Sequence, residues 1–339
     1  MMTELLPSQL PTLLRRALGA HWDFTTDGDR VHIQHLHHGG PYLPPRRTLG
    51  WDEILAALEE AFAEQGVARA GCLPLHWGRE TELTISAVQA LDPLLKHGQH
   101  PVYRQGFLPQ PVVRFTGDRD THGTLRDGFL TSFVNVSRVN PIRQLSEYAD
   151  AFDGWLTSLS RLGIHARHIT FHGRLTPWRR RQVAGITLHF RLNGTALGDI
   201  VLLWHAEDPS HMAVDLGTGL ERLTWTRNRT PWRDLVFGPY AHLAPITALD
   251  AIRTATLLLG YGIKPTARGA GSITRRVVAT IPPAVSPLGF SAMARYSYTF
   301  WNSIVPLPCP WPTVVQHLDN EARKVAGHER LLEGQAHER

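Results

Sequence analysis

The chain reads as an α+β fold, with an antiparallel sheet flanked by helices and a smaller helical domain after it. Three observations predict this. Residues 188–192 alternate apolar and polar, Asn193-Gly194 is a favoured hairpin turn, and residues 196–205 return as a nearly continuous apolar strand. Residues 110–115 and 130–136 read as two strands around the polar, Gly- and Asp-rich loop 116–128, a long-looped antiparallel hairpin. Residues 51–65, 148–162 and 248–259 repeat apolar side chains at helical spacing.

In chain order, residues 1–50 read as an extension, with a short helix at 10–18 and a linker of prolines and arginines at 43–47. The helix over 51–65 is carried by Ile54, Leu55, Leu58 and Phe62. Trp51-Asp52 starts it and Gly66 ends it. Residues 73–75 and 83–86 are short strand-like runs. The helix over 148–162 rests on Phe152, Trp155, Leu156 and Leu159, and Gly163 closes it. Residues 212–215 form a short apolar strand ending in Asp215. Gly217 and Gly219 then make a sharp turn, and Leu220-Glu221-Arg222 open an amphipathic helical segment to Trp225. From residue 188 the order is strand, turn, strand, loop, strand, helix, an antiparallel meander. Gly260-Tyr261-Gly262 stops the helix over 248–259, and 314–332 predicts a C-terminal helix. Residues 281–312, rich in proline and aromatics, match no pattern. The domains expected are 1–50, 51–240 and 241–339.

The length of 339 residues suits one large or two ordinary domains, and 42% hydrophobic with 19% charged residues suits a globule. Mean hydropathy is −0.19. No apolar run approaches a membrane span of roughly 20 residues, and no signal-peptide order is present, so a cytoplasmic protein with no membrane partner is the expectation. Cys72 and Cys309 make neither a disulfide framework nor zinc spacing. A net charge of +5 favours an anionic ligand such as ATP, a nucleotide or RNA. His32, His35, His37 and His38 could bind a metal, or simply ride a strand that runs into Gly39-Gly40-Pro41. No metal ligand is assigned.

Around residue 215 the residue types suggest a site. The glycines would let a ligand approach the backbone, Asp215 could hold a cation, and the Arg222 fork could hold a phosphate. A tight turn with a solvated ion pair is the simpler reading of the spacing alone. Arg114, by itself, reads as a surface arginine on an edge strand.

A resemblance adds to this. DLGTGLERLTW, beginning at Asp215, resembles motif 3 of class II aminoacyl-tRNA synthetases in its alanyl form. TPWRDLVFG, over 230–238, is similar to the archaeal-type version. Gln110-Pro111-x-x-Arg114 resembles motif 2, and residues 83–95, with Pro93, the first motif region. Residues 248–276 look like the alanyl family's helical domain, which serves tRNA acceptor-stem binding. The likeness spans about 51–276 and implies a core without the editing and C-terminal modules.

The resemblance implies that Arg114 and Arg222 act on the ATP phosphates, with Phe133 and Gly219 also on the nucleotide. Asp215 would take the substrate's α-amino group, beside Gly217 and a walling Trp178. It implies ATP with Mg²⁺ and a small, alanine-like amino acid. The pattern also departs from the family. Phe129 and Val134 replace a His and a Glu after motif 2, His189 replaces an acidic residue, and Arg179-Arg180-Arg181 replace a glycine run. Those three arginines suggest an added anion or acceptor contact, or a solvated loop. The expected activity is adenylation of the amino acid and transfer to a small molecule, nucleoside or carrier protein, as in specialised metabolism. Charging of tRNA by a minimal alanyl enzyme, and a non-catalytic paralogue that binds nucleotide or RNA, are the alternatives. The oligomeric state stays open.

Overall fold

The computed structural model describes residues 2–121 and 123–337, without the side chains of 2–6, 286–288, 326 and 328–337. Its centre is a nine-stranded antiparallel sheet in the order β1-β2-β5-β7-β8-β9-β4-β3, with β6 alongside β7. The fold is α+β, with helices flanking the sheet. The strands are β1 (Trp22–Asp27), β2 (Arg30–His35), β3 (Gly106–Val113), β4 (Ser132–Ile142), β5 (Ile169–Arg174), β6 (Trp178–Arg180), β7 (Val183–Leu192), β8 (Thr195–His205) and β9 (Met212–Gly219).

The chain divides into two compact units that are not contiguous segments. One gathers residues 1–73, 86–110 and 134–229; the other gathers 74–85, 111–133 and 230–339. In the first unit, α1 (Met2–Leu18), α2 (Trp51–Glu64) and α4 (Leu145–Arg161) pack together, and α4 lies on the sheet. Aromatic rings make the seam. Phe152 meets Phe171 at 4.2 Å between centroids, and Trp155 meets Phe190 at 5.5 Å. On this sheet face Ile33, Phe171, Phe190, Ile200 and Leu216 are all fully buried. Burial of such side chains contributes roughly 1.5–3 kcal/mol each, which makes this face the unit's core.

The β7–β8 hairpin turns as its sequence predicts. Asn193 and Gly194 take φ of 48° and 82°, the left-handed pair that a two-residue turn demands. Residues 1–50 hold more regular structure than the extension expected. Their helix runs from Met2, and β1 and β2 form a hairpin that pairs with β5 and extends the sheet. The runs at 73–75 and 83–86 are not strands. They meet where the Thr84 N–H donates to Leu75 O at 2.8 Å, beside an isolated bridge of His76 with Leu83. Ser86 then caps a 3₁₀ turn over Ala87–Leu91, and α3 (Asp92–His97) follows with Pro93 in its first turn.

The second unit carries α6 (Trp232–Phe237), α7 (Ile246–Gly260), α8 (Gly269–Ala279), α9 (Phe290–Ile304) and α10 (Trp311–His337). Helix α9 lies in the stretch whose sequence matched no pattern. Helix α7 is buried on nearly every side. Its Arg253 lies between the rings of Phe300 and Trp301, 4.1 and 4.3 Å from their centroids. It also anchors the segment that follows the 116–128 loop: Asp250 accepts the Thr131 N–H at 2.9 Å, and Ser132 Oγ meets Thr254 Oγ1 at 2.8 Å. Burial holds the Asp250 carboxyl above the usual carboxylate range, against the Thr131 hydrogen bonds and the Arg253 charge. No described helix is long and apolar enough to cross a membrane.

Trp155 is fully buried between Phe190 and Phe62. Trp155→Ala is expected to cost about 3–5 kcal/mol in urea unfolding, because the cavity joins α4 to the sheet. A loss below about 1 kcal/mol would show that this seam does not hold the unit together.

Candidate functional site

The other face of the sheet carries polar side chains, and the strand register aligns them. His32 pairs with His172, His172 with His189, His189 with Asp199, Asp199 with Gly217, and Gly217 with Ser137. Side chains alternate between faces along a strand, so this register sets one row across β2, β5, β7, β8, β9 and β4. The next row holds Thr187, Val201, Asp215 and Val139. The His172 and His189 rings stand 5.6 Å apart, and His189 Nδ1 lies 3.9 Å from Asp199 Oδ2.

Asp215 therefore shares a face with Gly217, but it does not end its strand. β9 runs on through both glycines to Gly219, and α5 (Leu220–Asn228) follows directly. Gly217 is a strand residue without positive φ, and Gly219 is the extended residue before the helix. The sharp glycine turn expected there is replaced by a straight strand-to-helix junction, because β4 and β8 pair with β9 along this length. Asp215 is 9% exposed, lying between Val139 and Val201.

Trp178 comes to this same face. It pairs with Gly185 on β7, and its Nε1–H donates to Thr187 Oγ1 at 2.9 Å. A Cβ on Gly185 would stand 2.7 Å from the Trp178 ring, so only glycine admits the indole at this position. Thr187 and Asp215 belong to one row, which places Trp178 on Asp215's side. Arg179 and Arg180 continue β6 rather than forming a loop, and Arg181 turns the chain with φ of 53°. All three are exposed. Arg179 lies 3.6 Å from Glu207, and the Arg180 guanidinium sits over the Trp178 ring.

Arg222 stands in the first turn of α5, as its spacing predicts. It is half-buried, and its Nη1 lies 3.4 Å from the Ala196 carbonyl. Glu221 is 1% exposed, and both its carboxylate oxygens face the Val134 N–H, at 3.1 and 3.3 Å. Helix α5 is buried on most sides rather than amphipathic: Leu223, Thr224, Thr226, Arg227 and Asn228 are also enclosed. Tyr42 and Leu49 from the 1–50 segment bond to Arg227 and Asn228.

Arg114 and Phe133 belong to the second unit. Arg114 stands one residue past the end of β3, not within the strand, and its N–H donates to Thr131 O at 2.7 Å. Its guanidinium lies over the Phe133 ring at 5.3 Å, and its Nε donates to the Ile85 carbonyl. The structure thus brings these two together within that unit, just as it brings Asp215, Gly217 and Trp178 to one face of the other.

Among the described residues no group of three or more His, Cys, Asp or Glu side chains is arranged to hold a metal ion. Of the histidine cluster, His32 joins the polar row, and His35 packs against His21, His37 and His165 at ring distances of 5.6–6.1 Å. Burial first, then the neighbouring imidazoles, holds the His35 pKa below 6.5. His168 is lowered by burial, Arg167, His165 and His38, and His172 by burial, Arg191, His189 and His32.

Sequence reasoning missed Asn135, Ser137 and Asp199. Their residue types are common, and only the register across three strands reveals that they surround Gly217. No family model and no curated protein matches the chain.

The three depressed histidines set a pH dependence. Each resists protonation in the folded state, so unfolded chains take up protons first as pH falls below 6.5. Their contribution is complete above 6.5 and is lost as pH falls towards the folded-state values. Urea midpoints are expected to drop between pH 7.5 and 5.5, and His168→Gln should flatten that slope. An unchanged slope in the variant would remove His168 from the account.

Proposed function

We propose that this chain activates a small amino acid with ATP as the aminoacyl adenylate and passes the aminoacyl group to a non-tRNA acceptor. A small molecule, a nucleoside or a carrier-protein thiol each suits the chemistry. The observation that carries the reading is the shared sheet face of Asp215, Gly217 and Trp178, with Arg222 on the helix that follows the same strand. These are the residues that the class II, alanyl-like resemblance assigns to the amino acid and the phosphates.

In this reading Asp215 holds the α-ammonium. Its burial beside two valines strengthens that ion pair relative to water. The substrate carboxylate attacks the α-phosphorus, a C–O–P linkage forms, and the bond to pyrophosphate breaks with its electron pair. Arg222 offsets the charge that builds on the phosphoryl oxygens, the task that the resemblance also gives to Arg114, so catalysis consists of positioning and electrostatics. Mg²⁺ would travel with the ATP phosphates and supply further charge neutralisation. The Glu221 oxygens, turned to the Val134 N–H, are assigned no metal. Arg114 would keep its ring contact with Phe133, which orients the guanidinium plane. The exposed Arg179, Arg180 and Arg181 offer an anionic acceptor a place to dock.

The test is amino-acid-dependent exchange of labelled pyrophosphate into ATP. Exchange is expected with at least one of alanine, glycine and serine. Asp215→Ala and Arg222→Ala should each lower it at least about a hundredfold, the loss of a charge-assisted contact made in the transition state. Absence of exchange with every standard amino acid would sink the reading in favour of a nucleotide-binding paralogue. RNase-sensitive charging of total tRNA would overturn the choice of acceptor while leaving adenylation in place.

A further inference from the structure

A Cβ built on Gly217 would stand 3.3 Å from Asn135 Nδ2, 3.7 Å from Ser137 Oγ and 3.8 Å from Asp199 Oδ1. Polar atoms from the two strands beside β9 thus converge on one methyl-sized point. The orientation of Asn135 is set by its neighbours. Its Oδ1 accepts the Ala87 N–H at 3.1 Å and faces Ser86 Oγ at 3.3 Å, which leaves Nδ2 turned to the recess. Ser137 is fully buried, and its Oγ has no hydrogen-bond partner among the described residues. A buried hydroxyl left unmatched is costly, and this one faces the recess.

The donors and acceptors select the ligand's chemistry. A carboxylate would meet the like charge of Asp199. An ammonium would meet the Asn135 amide donor. A hydroxyl satisfies the set, because it can accept from Asn135 Nδ2 while donating to Asp199 Oδ1 or Ser137 Oγ. We propose that the recess over Gly217 binds the side-chain hydroxyl of a β-hydroxy amino acid, so that serine is preferred to alanine. This rests on the adenylation reading, with the α-ammonium held at Asp215, two residues away on the same face. The glycine is then a selectivity device: any side chain at 217 would occupy the hydroxyl's place.

The experiment measures two quantities for L-serine and L-alanine: pyrophosphate exchange, and calorimetric binding to the full chain without ATP. Serine is expected to exceed alanine in kcat/KM on the order of a hundredfold, because a site that hydrogen-bonds a hydroxyl leaves its own groups unpaired with the analogue. Gly217→Ala should bring the two substrates close to parity. Ser137→Ala, which fills no space, should cut the serine-to-alanine ratio about tenfold. Unfolding midpoints report whether each variant folds, and either variant alone suffices for the comparison. Exchange with alanine equal to or above that with serine overturns the recess assignment and leaves adenylation standing. Serine-selective binding without exchange overturns adenylation and supports the recess. Neither binding nor exchange with either amino acid overturns both.

Discussion

A single asymmetry governs the first unit: helices cover one face of the sheet with aromatic rings, and the opposite face is polar. Phe152 and Trp155 on α4 meet Phe171 and Phe190, and each strand must then turn its intervening residues the other way. His172 and His189 lie on the polar face because Phe171 and Phe190 lie on the apolar one. Asp199 and Gly217 follow from Ile200 and Leu216 by the same alternation. The core thus fixes the register, and the register assembles the polar row. A slip of one residue on β9 would send Asp215 into the helix seam and bring Leu216 to the polar face.

Glycines then shape what the alternation allows. Gly198 has no room for a side chain, since its Cβ would meet the Gly217 carbonyl at 1.9 Å. Gly185 admits the Trp178 indole, and Gly217 keeps open the point among Asn135, Ser137 and Asp199. These positions need closeness rather than unusual backbone angles, as the absence of positive φ at all three shows. Flexibility, the usual reason to read a glycine-rich segment as a turn, is therefore the wrong property to invoke at 217. The missing Cβ is what counts, and it counts only because two strands flank β9.

Much of the architecture was legible in the residues. Periodicity located α2, α4 and α7, and Asn193-Gly194 located the β7–β8 hairpin, because local chemistry decides both. What escaped was decided by distant partners. The 1–50 segment joins the sheet through β5, far along the chain. Helix α9 lies where proline and aromatics obscured the pattern, although Phe290, Met293, Ala294, Ser297 and Trp301 all face inward. For the site, the residues carried by the resemblance were named, and Trp178 and Asp215 do share a face. Asn135, Ser137 and Asp199 were not, since nothing in a lone Asn, Ser or Asp announces a neighbour across a strand.

The dipeptide Glu221-Arg222 shows how far adjacency in sequence differs from adjacency in role. Successive helical residues point about a hundred degrees apart, so they cannot share an environment at the edge of a core. Glu221 turns inward and serves the Val134 N–H at the start of the part of β4 that pairs with β9. Without that carboxylate, a buried backbone donor would lack its acceptor, a cost of roughly 1–3 kcal/mol. Arg222 turns outward far enough to stay half-exposed, beside the Ala196 carbonyl on β8. One residue therefore ties α5 to β4, and the next lies beside β8. Under the proposed reading this division holds Arg222 in place from two sides: the Glu221 contact fixes the first turn of α5, and the Ala196 carbonyl lies beside the guanidinium.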